Sequence, residues 1–160
     1  MKVFISWSGE GSPSHQVALI LRDWLPSVIQ AVKPFVSCED IDKGTRGLVT
    51  IDSELQETAC GVICLSRANF ERPWINYEAG VLSKQIADAK SRVMPLLIDL
   101  DNSDLTGPLT QPQTTRLKDK ADVYKMVASV NRALGDDALA DNVLGSTFNG
   151  SSRWRVIGAS

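Results

Sequence analysis

A carboxylate set beside the apolar stripe of a helix is the strongest candidate for chemistry in this chain. It lies in Pro73-Trp-Ile-Asn-Tyr-Glu-Ala-Gly80. With Pro73 in a first helical turn, the spacing predicts a helix running to about Ala89, with Ile75, Ala79, Leu82 and Ile86 on one face. Glu78 falls on the edge of that face. A carboxylate there either extends into water or is held in a desolvated site that raises its pKa, the state in which an enzyme keeps a general base or a charge stabiliser. Periodicity alone leaves both readings open.

The elements that must position Glu78 follow an alternating rhythm. Lys2–Ser6 is a short β-favouring run, and Trp7 to Pro13 is turn material. Ser12 or Ser14 can cap a helix whose apolar residues Val17, Leu21, Trp24, Leu25 and Val28 repeat at three and four, ending near Gln30, with Pro26 placed to kink its last turn. Pro34 to Ser37 reads as a brief edge strand, where a leading proline is tolerated. The polar loop Cys38 to Gly47 follows, and Leu48, Ile51, Leu55 and Thr58 mark a further helix. Gly61 to Ser66 is apolar without alternation, as in a central parallel strand covered on both faces. After the Trp74 helix, Arg92 to Asp99 reads as a fourth strand, with Pro95 implying a bulge or an interrupted ladder. Asp99 to Lys120 reads as a loop with a short strand or helical turn. Val123, Met126, Val127, Val130 and Leu134 form a last clear helix stopped by Gly135, and the tail from Asp136 to Ser160 carries no definite pattern.

This order predicts an α/β fold, a parallel sheet with helices on both faces joined by right-handed crossovers. Sites in such sheets gather at the carboxyl ends of the strands, so the loops after the first two strands and the start of the Trp74 helix should converge on one crevice. Glu78 lies one turn into its helix and can reach it.

Composition removes several function classes. The 160 residues suit one domain able to bury a core without disulfide or metal support. Nineteen acidic against seventeen basic residues leave a formal charge of −2, and no basic run offers capture of a nucleic acid. The N-terminal apolar run is too short for a signal peptide and no later one approaches a membrane span, so a cytoplasmic location without membrane attachment is expected. Cys38, Cys60 and Cys64 have no paired metal spacing and read as free thiols, with Cys60 and Cys64 buried in a strand. The one histidine, His15, reads as exposed, and alone it is a poor basis for a metal site or a Ser/His triad.

Val3-Phe-Ile-Ser-Trp-Ser8, Ser37-Cys-Glu-Asp-Ile-Asp-Lys-Gly44, Gly61-Val-Ile-Cys-Leu-Ser66 and Trp74-Ile-Asn-Tyr-Glu-Ala-Gly-Val-Leu-Ser-Lys84 occur in the order found in bacterial TIR domains, which this chain resembles. The resemblance is best over residues 2–100 and weaker over 101–160, the whole reading as a single TIR domain over 1–160. Asp104-Leu-Thr-Gly-Pro-Leu109 and Ser129-Val-Asn131 extend it to a subgroup associated with antiphage defence. It implies a flavodoxin-like three-layer sandwich on a five-stranded, mostly parallel sheet. Cys38 to Gly47 would be the BB loop, and Trp74 with Glu78 the W-x-x-x-E motif.

What the resemblance implies chemically is cleavage of the bond between nicotinamide and ribose in NAD, as substrate and with no separate cofactor or metal, leaving ADP-ribose, a cyclised form or another ADP-ribosyl signal. Departure of neutral nicotinamide leaves an oxocarbenium-like ribose, whose developing charge a carboxylate can stabilise. Glu78 would be that catalytic group. Trp74 would pack against it or against a ring of the ligand, or serve simply as core. Ser6, Trp7, Ser8 and Gly9 would line the substrate site, with Ser8 and Gly9 taking a phosphate or ribose unless they form a plain turn. Asp40, Lys43 and Arg46 would complete it from the BB loop, the two cations reaching pyrophosphate unless they remain solvated. Many relatives carry an aromatic residue where this chain has Gly47, a role that Trp7 could take. Self-association through the BB loop and a separate effector protein are the implied partners. The alternative is a non-catalytic TIR module that assembles through the same loop and relays a signal. Phosphorelay or flavin chemistry on this fold is disfavoured, because no strand ends in paired acidic residues.

Overall fold

The computed structural model describes residues 2–7, 9–36, 60–68, 92–104 and 114–151. Five strands form one sheet: β1 (Lys2–Ser6), β2 (Lys33–Val36), β3 (Cys60–Leu65), β4 (Arg92–Leu97) and β5 (Thr115–Arg116). Their order is β2-β1-β3-β4-β5, and every pairing is parallel. The expected flavodoxin-like sheet is therefore present, with β2 on one edge and β3 at the centre. All six residues of β3 are buried, which accounts for its unbroken apolar sequence: a strand covered on both faces has no position for a polar side chain.

The first helix, α1 (Pro13–Val28), begins where its sequence dictates. Ser12 Oγ accepts the His15 backbone N–H at 3.2 Å, and Pro13 supplies a preset φ at the first helical position. Val17, Ala18, Leu21, Trp24, Leu25 and Val28 are buried. They join one core with Val3, Ile5, Val62, Cys64, Met94 and Leu96, residues that alternate along their strands and so share one sheet face. The helix passes through Pro26, and the Ile29 N–H still bonds the Leu25 carbonyl at 2.9 Å; it ends at Val28, ahead of Gln30, because Ile29 is extended.

Pro95 does not interrupt the β3 ladder. Register runs unbroken from Cys60 opposite Arg92 to Leu65 opposite Leu97. The cause is the alternation of hydrogen-bonding sides along a parallel strand. Ile98 N–H bonds Leu65 O, whereas Leu97 O accepts from Leu117 N–H, so position 95, in phase with 97, faces β5. The two residues of β5 pair only with Leu96 and Leu97, and the missing N–H falls outside both ladders.

The segment 99–120 contains the expected short elements: a 3-10 turn over Asn102–Asp104 and the strand β5. The next helix, α2 (Lys120–Ala133), is capped by Asp119, whose carboxylate accepts the Ala121 and Asp122 N–H groups. Val123, Met126, Val127 and Val130 enter the same core as α1. Gly135, at φ +62°, takes the left-handed conformation that ends a helix at low steric cost.

It is not the last helix. The tail forms α3 (Asp141–Gly150), which buries Leu144 and Phe148. The Phe148 ring meets Trp24 edge-on at 5.9 Å and Tyr124 at 5.1 Å. Asn131 secures the return, donating to Leu139 O at 2.9 Å and accepting from Leu139 N–H at 2.8 Å. Among the described residues no helix is long and apolar enough to cross a membrane. The helices expected around Leu48–Thr58 and Pro73–Ala89 lie outside the described residues.

Cys60 and Cys64 are buried free thiols on the helix-covered face of β3. Cys38 is outside the described residues, among which no histidine, cysteine and carboxylate cluster is arranged to hold a metal. Burial pushes the Cys64 thiol from 9.0 up to about 12. The folded chain thus keeps a proton that an unfolded thiol releases, so this contribution to stability is intact below about pH 9 and is lost as pH rises through about 12. In Cys38→Ser protein at pH 8, neither remaining thiol is expected to react with an aromatic disulfide reagent until the chain is unfolded. Rapid native labelling of both, or stoichiometric zinc in the purified protein, is the contrary outcome.

Candidate functional site

In this strand order the chain leaves β1 towards β2 and then returns past β1 to β3. The order thus reverses between β1 and β3, and in α/β sheets such a switch point, at the carboxyl ends of the strands, is where ligands are usually held. Ser6, which closes β1, and Ser66, which follows β3, are both buried. Ser14, in the first turn of α1, is buried too, and its hydroxyl donates to the Cys64 carbonyl at 3.1 Å, tying the start of α1 to β3.

The wall beside β1 is built around Trp7. Its indole is 3% exposed and stacks on the imidazole of His15, with ring centroids 3.8 Å apart and planes at 15°. Between them the backbone turns through Gly9 at φ +85° and Gly11 at φ +75°. Ser12 N–H closes the turn onto Gly9 O at 2.9 Å, and a Cβ on Gly9 would come within 3.1 Å of the Ser12 Cβ. Position 9 thus needs glycine twice over, for its backbone and for its clearance. Gly11 N–H donates to His15 Nδ1 at 3.0 Å, and the Gln16 carboxamide donates to Gly11 O at 3.2 Å. His15 is consequently half-buried against Trp7 rather than free on the surface, a correction to the sequence-based expectation. The Ser12-x-x-His spacing was the available clue, since a residue three beyond an N-cap lies over the turn that precedes it.

Further round the carboxyl end, Arg67 N–H donates to Asp99 Oδ1 at 2.8 Å, joining the loop after β3 to the end of β4. The Arg67 guanidinium lies 3.4 Å from Asp104, whose carboxylate also accepts the Asp101 N–H at 2.9 Å. The sequence offered no periodic signal for this polar rim. A cleft of about 420 Å³ opens beyond it, at the ends of β4 and β5, lined by Asp99, Asp101, Arg116, Lys118, Asp119 and Lys120 among others. Arg116 contacts Asp122 at 3.1 Å and Asp119 at 3.0 Å. The Asp122 hydrogen bond first, and the charges of Asp122 and Asp119 after it, raise the Arg116 pKa above its ordinary value. The cleft carries charges of both signs, and its arginine is already engaged by two carboxylates.

Of the site residues expected from sequence, Ser6, Trp7 and Gly9 are brought together where β1 ends. Ser8, Asp40, Lys43, Arg46, Trp74 and Glu78 lie outside the described residues.

A parallel sheet in this order, with a glycine-turned loop beside its switch point, defines the flavodoxin-like class of α/β domain. Residues 3–129 match the TIR-domain family model, so the chain belongs to the TIR-domain family. The matched span reaches beyond β5 into α2 and leaves α3 outside it. No curated protein matches the chain significantly. TIR domains include NAD-cleaving enzymes as well as scaffolds, and they commonly self-associate.

Proposed function

We propose that this TIR domain cleaves NAD between nicotinamide and ribose, in bacterial antiphage defence, either producing a nucleotide signal or depleting NAD. The observation that carries the reading is the W-x-x-x-E pair, Trp74 and Glu78, inside a chain that matches the TIR family over residues 3–129. Glu78 orients the ribose hydroxyls and stabilises the positive charge that develops at the anomeric carbon as neutral nicotinamide leaves. Attack by water, with loss of its proton, gives ADP-ribose. Attack by a nucleophile within the same molecule gives a cyclic product. Ser6, Trp7, Ser8 and Gly9 bound the nucleotide on the β1 side, and Asp40, Lys43 and Arg46 approach from the BB loop, the two cations meeting the pyrophosphate.

Gly47 favours a second reading, since an aromatic residue there would cover the nicotinamide or make an assembly contact. Under it the chain is a non-catalytic module that assembles through the BB loop and relays a signal to an effector. The two readings separate when purified protein is incubated with NAD over a range of concentrations, with and without infected-cell extract. Nicotinamide release is expected, with specific activity rising steeply with protein concentration as neighbouring BB loops complete each other's sites. Activity that is flat from dilute to concentrated samples, in a species sedimenting as a monomer, contradicts the assembly part. NAD left intact under every condition leaves the module reading standing.

A further inference from the structure

The geometry points to His15 as a positioning residue for the crevice: its imidazole holds Trp7 and the Gly9–Ser12 turn together, setting the β1 wall before a nucleotide arrives. This inference rests on the reading of the chain as an NAD-cleaving domain.

One side chain makes both contacts, the 15° stack on Trp7 and the 3.0 Å bond from Gly11 N–H to Nδ1. The backbone it holds contains two residues at positive φ, Gly9 and Gly11. Glycine loses more conformational freedom on ordering than any other residue, so this stretch depends on outside contacts to keep one shape. His15 itself stands on a fixed base. Its backbone N–H is taken by Ser12 Oγ at the helix cap, and its neighbour Ser14 is bonded to Cys64 O in β3. It therefore transmits the rigidity of α1 and β3 to the turn. Trp7, nearly buried beneath it, acts as the platform between the two.

Without the imidazole the turn would populate other conformations, and apparent affinity would fall by the fraction of molecules that remain competent. A hydrogen bond and a ring pair of ordinary strength together correspond to about a tenfold change in that population. The chemical step at Glu78 would proceed as before once NAD is seated. The helix cap uses the backbone N–H of residue 15, so replacing the side chain leaves the start of α1 intact.

The experiment compares the full chain with His15→Ala, His15→Asn and His15→Phe by calorimetric NAD binding, nicotinamide release and thermal melting. Asn places a carbonyl oxygen where Nδ1 accepts from Gly11, and Phe keeps the ring on Trp7. The expected result is a rise of about tenfold in Kd and KM for His15→Ala with kcat within about twofold, and a smaller rise of about threefold for each of the other two. Should His15→Ala fail to fold, the Asn and Phe variants, each retaining one contact, carry the test. Wild-type Kd and KM in the variants overturns the inference, as does a uniform fall in kcat and melting temperature with KM unchanged. Wild-type protein that binds no NAD sinks the NAD reading and this inference together. Wild-type protein that binds NAD, with His15 variants indistinguishable from it, sinks this inference alone.

Discussion

Glu78→Gln protein is expected to release nicotinamide at least about a hundredfold more slowly than wild type while folding normally. Glutamine keeps the size and hydrogen-bonding capacity of the side chain but carries no charge. The substitution therefore isolates electrostatic stabilisation of the oxocarbenium-like ribose from any role in shape. Loss of such stabilisation costs on the order of 3 kcal/mol or more, about two decades in rate. Exchanging a carboxylate for its amide leaves no unpaired charge behind, so melting should change little. NAD binding should also persist, since the lost interaction strengthens in the transition state rather than in the ground state. Unchanged turnover in this variant would remove Glu78 from the mechanism, whatever the rest of the site does.

The second large effect lies far from that chemistry. Trp24→Ala is expected to destabilise the fold by about 3–5 kcal/mol, the range for removing a fully buried large aromatic side chain. Trp24 is among the largest side chains with no exposure, and three things depend on it. It belongs to the main core, it meets the Phe148 ring edge-on at 5.9 Å, and its indole N–H donates to Ser151 Oγ. Loss of the ring empties the core and releases the attachment of α3 at once. For a chain of this size such a change lowers the melting temperature by roughly ten degrees or more. Val143→Ala, at a residue 42% exposed on the same helix, should stay within about 0.5 kcal/mol of wild type. Equal urea midpoints for Trp24→Ala and wild type would contradict the packing described for α3.

What the sequence disclosed, and what it hid, follows from how local each cause is. β3 was legible because a strand covered on both faces must be apolar throughout, and β1 because residues 3–5 are β-favouring and the run ends in turn residues. α1 and α2 were legible from repeated apolar spacing, a Ser12 cap for the first and Gly135 as the stop for the second. α3 was not, because only Leu144 and Phe148 anchor it and Ala140 provides no side-chain cap. Its helix depends on docking one aromatic ring between Trp24 and Tyr124, a cause that lies in distant parts of the chain. Pro95 misled for a related reason. The side to which a residue's N–H points depends on the register of its neighbours, and register is absent from a local reading. Ser6, Trp7 and Gly9 were named from the family resemblance, and the structure places them at the end of β1 and in the turn after it. The stacking of His15 on Trp7 was not legible, because it requires the loop to fold back over the helix that follows it. Glu78 and Trp74 are assigned from their helical spacing and their motif within the matched family span.

If this TIR domain acts on NAD through Glu78, turnover must depend on that carboxylate and on assembly together. The most direct test follows nicotinamide release by wild type and Glu78→Gln across a concentration series, with sedimentation recorded on the same samples. Release by wild type is expected to climb as assemblies form, with at least about a hundredfold less by Glu78→Gln in assemblies of the same size. Equal release by the two proteins, or wild-type assemblies that leave NAD untouched even with infected-cell extract, would contradict this reading of the domain.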